Sequence, residues 1–290
     1  MRVESLCYLN GELMPLADAR IPVLDRGFIF GDGVYEVIPA YGRVLFRLPQ
    51  HLARLAYSLR SIRLENPHDE KTWTKLLGSV VDRNPWDDQS VYLQVTRGVA
   101  PRSHEFPKPP LAPTIFIMSN PLKTPPPETR ERGVAVVTRE DYRWHRCDIK
   151  SVSLLANVLL RQEAEDADAA ETLLIRDGNV TEASASNVYV VKRGTIASPP
   201  KDNLILPGIT YDLVLELARA AGLPVEVRPV AVAELLAADE VWLSSSTREV
   251  QPVTRVDGKP VGTGKPGPGF ARIYELFQDY KARVRRGVHA

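Results

Sequence analysis

The segment NPLKTPPPETRERG (residues 120–133) carries prolines at 121, 125, 126 and 127. Proline has no backbone N–H, fixes its own φ and pushes the preceding residue out of helical geometry. Neither a central strand nor an uninterrupted helix can therefore run through this stretch, and it divides the chain. Its PxxP spacing also fits a polyproline ligand. Regular patterning on both sides favours a stiff linker over residues 120–131, between domains at 1–119 and 132–290. The 290 residues are enough for two domains with substantial cores.

The first part mixes short strands and helices. Asn10-Gly11 and Tyr41-Gly42 sit between apolar stretches and predict hairpin turns. Leu52, Leu55, Ala56, Leu59 and Ile62 recur at helical spacing, and TIFIMS (114–119) is a buried strand. In the second part VAVVT (134–138) is a strand, followed by a helix with Leu154, Leu155, Val158 and Leu159 on one face. Asp177-Gly178, Arg193-Gly194 and Asp257-Gly258 mark further hairpins, and YDLVLELARAAGL is a helix that stops at Gly222. This is β-rich structure decorated by helices without regular β-α alternation, an α+β chain rather than a doubly wound one.

The bulk properties exclude several function classes. A formal charge of +1 makes no general field for nucleic acid, and no apolar run approaches the ~20 residues of a membrane span. MRVESLCYLNGEL has no apolar signal region. Cys7 and Cys147 are too few for a disulfide framework, which fits a reduced, cytoplasmic protein. Histidines 51, 68, 104, 145 and 289 show no metal-ligand spacing, so no metal is expected. GTGKPG (262–267) matches a nucleotide-loop pattern literally but contains Pro266 and opens no strand-helix-strand unit, so it is a loop.

What remains is chemistry at a few places. VTRGVAPRSHEF (95–106) gathers Arg97, Arg102 and His104 on a stretch that Gly and Pro keep out of helix. With no basic field and no metal spacing, a solvated loop or a receptor for a small anion is left, and Arg97 holds the turn. Lys150 precedes a helix. A lone lysine there places its ammonium in solvent, but one with suitable neighbours condenses with carbonyls. LPGIT (206–210) opens a helix, so the N–H groups of Ile209 and Thr210 point out of its positive end. Residues 244–247, three serines and Thr247, add hydroxyls, and Arg54 offers a full charge. Glu182 is either a buried carboxylate or an exposed hairpin residue.

Five segments, DRGFIFGDGVYEV, CDIKSVSLLANVLLRQEA, VTEASASNVYVV, LPGITYD and SSSTREVQPV, occur in the order seen in fold-type IV pyridoxal phosphate aminotransferases. The resemblance runs over nearly the whole chain and is strongest to the D-amino-acid branch. It implies a small N-terminal α/β domain and a larger, β-barrel-like C-terminal domain that binds pyridoxal 5'-phosphate. It makes Lys150 the Schiff-base lysine and the acid/base, and Glu182 the partner of the pyridinium nitrogen. Arg54, Ile209, Thr210 and Ser246 would hold the phosphate, with Ser245 beside it. Leu206 would pack on the ring, with Ser184, Ser186 and Asn187 behind it.

Branched-chain L-aminotransferases, aminodeoxychorismate lyases and (R)-amine transaminases share those residues, so substrate choice rests on what binds the substrate carboxylate. In the D-amino-acid branch this is a P-R-x-H segment after a T-R-G turn, with the tyrosine of the Y-E-V strand. Here these are Arg102, His104 and Tyr35. The resemblance brings Arg102 and His104 from a neighbouring subunit, hence a homodimer. It implies ping-pong transfer of the amino group of D-alanine and other D-amino acids to a 2-oxo acid such as 2-oxoglutarate. Trp144-His145 near the lysine and Pro39 after the Y-E-V strand leave the side-chain preference open. A catalytically silent binding module of the same fold is the reading from another class.

Overall fold

The computed structural model describes residues 5–288. Four residues of the N-terminal stretch considered above, and His289, lie outside them. By internal packing the chain forms two compact units, residues 1–122 with 149–153 and 283–290, and residues 123–148 with 154–282.

The first unit contains β1 (Leu6–Leu9), β2 (Glu12–Pro15), a short α1 (Arg26–Phe30), β3 (Gly33–Tyr41), β4 (Val44–Leu45), α2 (Leu48–Ser61), α3 (Glu70–Arg83), β5 (Gln89–Thr96) and β6 (Thr114–Pro121). Its sheet runs β2-β1-β6-β5-β3-β4, every neighbouring pair antiparallel. Leu52, Leu55 and Leu59 of α2 and Trp73, Leu77, Val80 and Val81 of α3 share one core with Val34, Ile38, Val91 and Leu93 of the sheet. Each such fully buried side chain contributes about 1.5–3 kcal/mol.

The second unit contains α4 (Pro127–Arg132), β7 (Val134–Glu140), α5 (Leu155–Asp166), β8 (Glu171–Arg176), β9 (Asn179–Ala183), β10 (Asn187–Lys192), β11 (Thr195–Ser198), α6 (Ile209–Ala220), β12 (Val225–Val227), β13 (Val230–Ala231), α7 (Val232–Leu236), β14 (Glu240–Ser245), β15 (Glu249–Val256), β16 (Lys259–Pro260) and α8 (Pro268–Arg285), whose last turn falls in the first unit. Ten strands form one mixed sheet in the order β12-β11-β10-β14-β15-β7-β8-β9-β13, with β16 on β15. Two separate sheets, one antiparallel and one mixed, with helices in no regular strand-helix alternation make the chain α+β. Within the proline-rich stretch α4 forms behind Pro126 and ends at Gly133, whose φ is +70°.

The hairpin turns follow from local chemistry. Asn10-Gly11, Asp177-Gly178, Arg193-Gly194 and Asp257-Gly258 all take positive φ at both residues, the twist a two-residue hairpin needs. The turn after β3 falls one residue later than Tyr41-Gly42, on Gly42-Arg43. On α5, Leu160 and Ala164 point into the unit. Leu155, Val158 and Leu159 are 73%, 60% and 51% exposed, so the apolar face read from the sequence is uncovered in the single chain.

Candidate active site

In the first unit the alternation of β3 sends Glu36 inward with Val34 and Ile38, and leaves Tyr35 on the opposite face. His51 and Arg54, three apart on α2, meet that buried carboxylate. Arg54 donates from Nε to Oε1 and from Nη2 to Oε2, both at 2.8 Å, and His51 Nδ1 lies 2.7 Å from Oε2. Burial pushes the Glu36 carboxyl up, but the charge and hydrogen bonds of Arg54, helped by His51, outweigh it and hold it down at about 2. Burial lowers the His51 pKa; Glu36 opposes that, while the positive charges of Arg54 and Lys150 add to it. The other ring nitrogen, His51 Nε2, is buried without a hydrogen-bond partner among the described residues.

Lys150 lies on a short segment laid against β3. Its carbonyl accepts from Tyr35 N at 3.0 Å, its N–H donates to Ser58 Oγ at 3.2 Å, and Ser151 bridges to Val34. The half-buried side chain carries Nζ to 4.1 Å from the centre of the Tyr35 ring, itself stacked on Tyr92. Two backbone anchors thus set where the lysine chain begins, and an aromatic face lies beside its ammonium.

The cationic loop also belongs to this unit. Arg97 is buried, donates to Asp32 at 2.8 and 3.1 Å and to the carbonyls of Ile62 and Arg63, and so holds the turn. Arg102 and His104 are exposed, and both lie against the ring of Phe30, at 5.2 and 5.3 Å. No carboxylate among the described residues pairs with Arg102.

In the second unit Glu182 on β9 is 5% exposed, a buried carboxylate and not an exposed hairpin residue. Arg143 Nη1 reaches Oε1 at 2.5 Å, while Leu206 N and Asn187 Nδ2 donate to Oε2 at 3.1 and 3.3 Å. Burial raises the Glu182 pKa to about 7 even so, against the opposing pull of Arg143 and the Leu206 N–H. Arg143 is itself held by Asp141 at 2.9 Å on both Nε and Nη2. Asn187 also donates to the Leu206 carbonyl at 3.0 Å, and a Cβ on Gly208 would stand 2.0 Å from Asn187 Oδ1. Only glycine fits there, and it is the N-cap of α6 without a capping side chain, so Ile209 and Thr210 open the helix beside Asn187. Ser184 and Ser186 turn their hydroxyls to Glu171, and Ser245 Oγ accepts from Arg248 N at 3.2 Å. Ser246 is half-buried at the end of the same strand.

The expected residues therefore gather as two clusters, Tyr35, Arg54, Lys150, Arg102 and His104 in the first unit, and Glu182, Ser186, Asn187, Leu206, Ile209, Thr210, Ser245 and Ser246 in the second. The sequence reading did not find the residues that hold them, namely Glu36 and His51 for Arg54, and Arg143 and Asp141 for Glu182. Their signal is weak. Glu36 sits in an otherwise apolar strand, and Arg143 follows Asp141 by two residues.

This donor set suits pyridoxal 5'-phosphate. A buried carboxylate whose pKa is raised gains from a cation beside it, as a protonated ring nitrogen provides. Arg54 in the first unit and, in the second, the open helix end at Ile209–Thr210 with the hydroxyls of Ser245 and Ser246 are each donors of the kind a phosphate dianion takes.

Comparison with known proteins agrees. The model of the class IV aminotransferases matches residues 33–256. D-alanine aminotransferase of Bacillus licheniformis is 46% identical over 270 residues, covering 93% of this chain and 95% of that one. The Listeria innocua D-alanine aminotransferase is 40% identical, covering 95% and 96%. Among solved structures, a T.th. branched-chain amino acid aminotransferase with pyridoxamine 5'-phosphate superposes with a TM-score of 0.90 at 26% identity, covering 99% of this chain and 97% of that one. The Escherichia coli branched-chain enzyme gives 0.89 at 25%, covering 96% and 94%.

The fold and the family match define a fold-type IV enzyme that depends on pyridoxal 5'-phosphate. The chain belongs to the class IV aminotransferases.

Proposed function

We propose that this enzyme moves the amino group of D-amino acids, D-alanine among them, to a 2-oxo acid such as 2-oxoglutarate in two half-reactions. The observation that carries the reading is the loop of Arg102 and His104, an exposed guanidinium and imidazole on one ring with no internal carboxylate for Arg102. Arginine suits a carboxylate because its planar fork donates two parallel hydrogen bonds. The relatives that are 40–46% identical and named D-alanine aminotransferases support the same choice.

Pyridoxal 5'-phosphate supplies an electron-poor ring that stabilises negative charge at the substrate Cα. Glu182, oriented by Asn187 and the Leu206 N–H, would stand by the ring nitrogen and favour its protonated form. Arg54, Ile209, Thr210 and Ser246 would bind the phosphate, with Ser245 beside it and Ser186 in the strand segment behind. Leu206 would pack on the ring. Lys150 Nζ would hold the cofactor at rest, and its freed neutral amine is the group that would take the proton from the substrate Cα. Tyr35 of one subunit, with Arg102 and His104 of the neighbouring one, would hold the carboxylate and so turn the hydrogen of one enantiomer toward Lys150.

A half-reaction screen tests this. D-alanine is expected to convert bound pyridoxal phosphate to pyridoxamine phosphate, followed by the loss of visible absorbance, while L-leucine and an (R)-amine are poor donors and aminodeoxychorismate, offered as a lyase substrate, is not cleaved. Conversion by L-leucine and not D-alanine overturns the assignment. Arg102→Ala is expected to lower kcat/KM for D-alanine about 30-fold or more, the scale of a lost charge-assisted carboxylate contact, with cofactor absorbance unchanged.

The enzyme also acts as a homodimer. The uncovered Leu155, Val158 and Leu159 on one face of α5 support this, because an exposed apolar patch of this kind marks an association surface. Sedimentation at twice the 32.3 kDa chain mass is the expected result. The division into domains at residues 1–119 and 132–290, and a cytoplasmic location, belong to the same reading. No helix among the described residues is long and apolar enough to cross a membrane.

A further inference from the structure

The segment DRGFIFGD (residues 25–32) is singled out by the sequence, and beyond the Phe30 ring under Arg102 and His104 and the Asp32 carboxylate that holds Arg97, its side chains have no role in the proposed function. Its contacts converge on one target, the loop that carries Arg102 and His104. Asp25, fully buried, accepts from Thr96 Oγ1 at 3.0 Å and Thr114 Oγ1 at 2.6 Å, the residues that flank the loop at its two ends. Its other oxygen accepts from Gly27 N at 2.7 Å. The backbone pairs as well, Arg26 N donating to the Gly98 carbonyl at 2.9 Å and Ala100 N to that of Leu24 at 3.3 Å.

Arg26 does more than line the base of the loop. It is 3% exposed, its Nε donates to Asp32 at 2.8 Å, and its Nη1 donates to the carbonyl of Ser103 at 2.6 Å and that of Glu105 at 3.3 Å. Nη2 reaches the His104 carbonyl at 3.4 Å. Asp32 is shared with Arg97, whose guanidinium stacks on Phe106 at 3.8 Å, so one carboxylate ties down two arginines that grip the loop on either side of His104. Phe30 lies between Arg26 at 4.9 Å and Arg102 at 5.2 Å, and also faces the His104 ring. A rigid guanidinium fork bonded to three successive carbonyls dictates how that backbone is turned, and hence where the side chains of Arg102 and His104 start. An irregular loop with exposed cations would otherwise sample many arrangements, and ordering it on substrate binding would cost affinity.

We propose that residues 25–32 form the frame of the carboxylate-binding loop, with Arg26 the positioning residue that holds Arg102 and His104 ready for the substrate carboxylate and Phe30 the surface they rest on. The side-chain hydrogen bonds of Arg26 go to Asp32 and the loop. The inference rests on the proposed role of Arg102 and His104.

The holoenzyme carrying Arg26→Ala, Phe30→Leu, Arg102→Ala or the Arg26→Ala/Arg102→Ala pair separates the possibilities. Arg26→Ala is expected to raise KM for D-alanine about tenfold or more with kcat changed far less, since pre-ordering acts on binding. Removing Arg26 from the Arg102→Ala enzyme is expected to have little further effect on KM, because coupled residues are not additive. Amide hydrogen exchange of residues 102–106, read without substrate, is expected to quicken in Arg26→Ala. Phe30→Leu leaves the Arg26–Asp32 pair in place, and is expected to raise KM in the same direction. It decides the question if Arg26→Ala does not fold. Additive KM effects, unchanged exchange, or an unchanged KM in Phe30→Leu overturn the proposal. If Arg102→Ala leaves KM for D-alanine unaltered, the carboxylate-binding reading falls and takes this inference with it. If Arg102→Ala raises KM and Arg26→Ala does not, only this inference falls.

Discussion

Lys150→Ala is expected to lower the rate of the D-alanine half-reaction by at least about 10³-fold, since one residue serves both as the group bonded to the cofactor and as the proton carrier. The fold is expected to survive. The contacts that hold this segment, Tyr35 N to the Lys150 carbonyl, Lys150 N to Ser58 Oγ and the bridge from Ser151 to Val34, are made by groups an alanine leaves in place. The side chain is half-buried and contributes a contact with the Tyr35 ring, a small term for stability. Stopped-flow absorbance at saturating D-alanine, with circular dichroism as the control for folding, measures it. A variant within tenfold of the parent rate would remove Lys150 from the chemistry. In the parent protein, borohydride is expected to bleach the visible band and leave its label on Lys150.

The second large effect concerns stability. Glu36→Ala is expected to cost about 3–5 kcal/mol, because it strands the Arg54 guanidinium in the core beside His51 without the anion that both address. The same carboxylate gives the apo protein an acid limit. Its pKa is about 2 when folded and 4.5 when unfolded, so the unfolded chain binds a proton first as pH falls. Its contribution is complete above pH 4.5 and is lost between 4.5 and about 2. Glu182 has the opposite sign. At about 7 when folded against 4.5 unfolded, it is the folded state that holds the proton, and stability drains away as pH rises from 4.5 to about 7. Each shift is worth about 3 kcal/mol. Urea unfolding of the apo protein at acid, intermediate and neutral pH is expected to show both slopes. Glu182→Gln is expected to remove the second and leave the first. A parent-like slope toward neutral pH in that variant would assign it to another group.

The two carboxylates show why one fold keeps both. Glu36 is paired within its own unit by a bidentate arginine, and its charge is matched. Glu182 is also bonded to an arginine, yet burial still wins, so the cluster stands ready for one more positive charge. A protonated cofactor nitrogen is such a charge. The stability given up near neutral pH by the apo protein is thus expected to be regained when the cofactor binds.

What could be read from the chain alone followed from short-range physics. Leu52, Leu55 and Leu59 at helical spacing produced α2, and four Xaa-Gly pairs produced hairpins, because the φ values those turns demand are a property of the residues in them. Lys150, Glu182 and the α6 opening were legible as ordered motifs, each a string of neighbours. The contacts that give those residues their character were not. Arg143 finds Glu182 39 residues away, Asp25 finds Thr96 and Thr114 at separations of 71 and 89, and Arg26 reaches Ser103 across 77. The apolar face of α5 was visible as a pattern, but a pattern does not say whether its own unit covers it. Local chemistry thus determined which residues turn, coil and carry charge. Only the tertiary structure decided which charges are matched, which carboxylate is left wanting a cation, and which segment props the loop of Arg102 and His104, because each depends on strand pairings and packing between residues far apart in the chain.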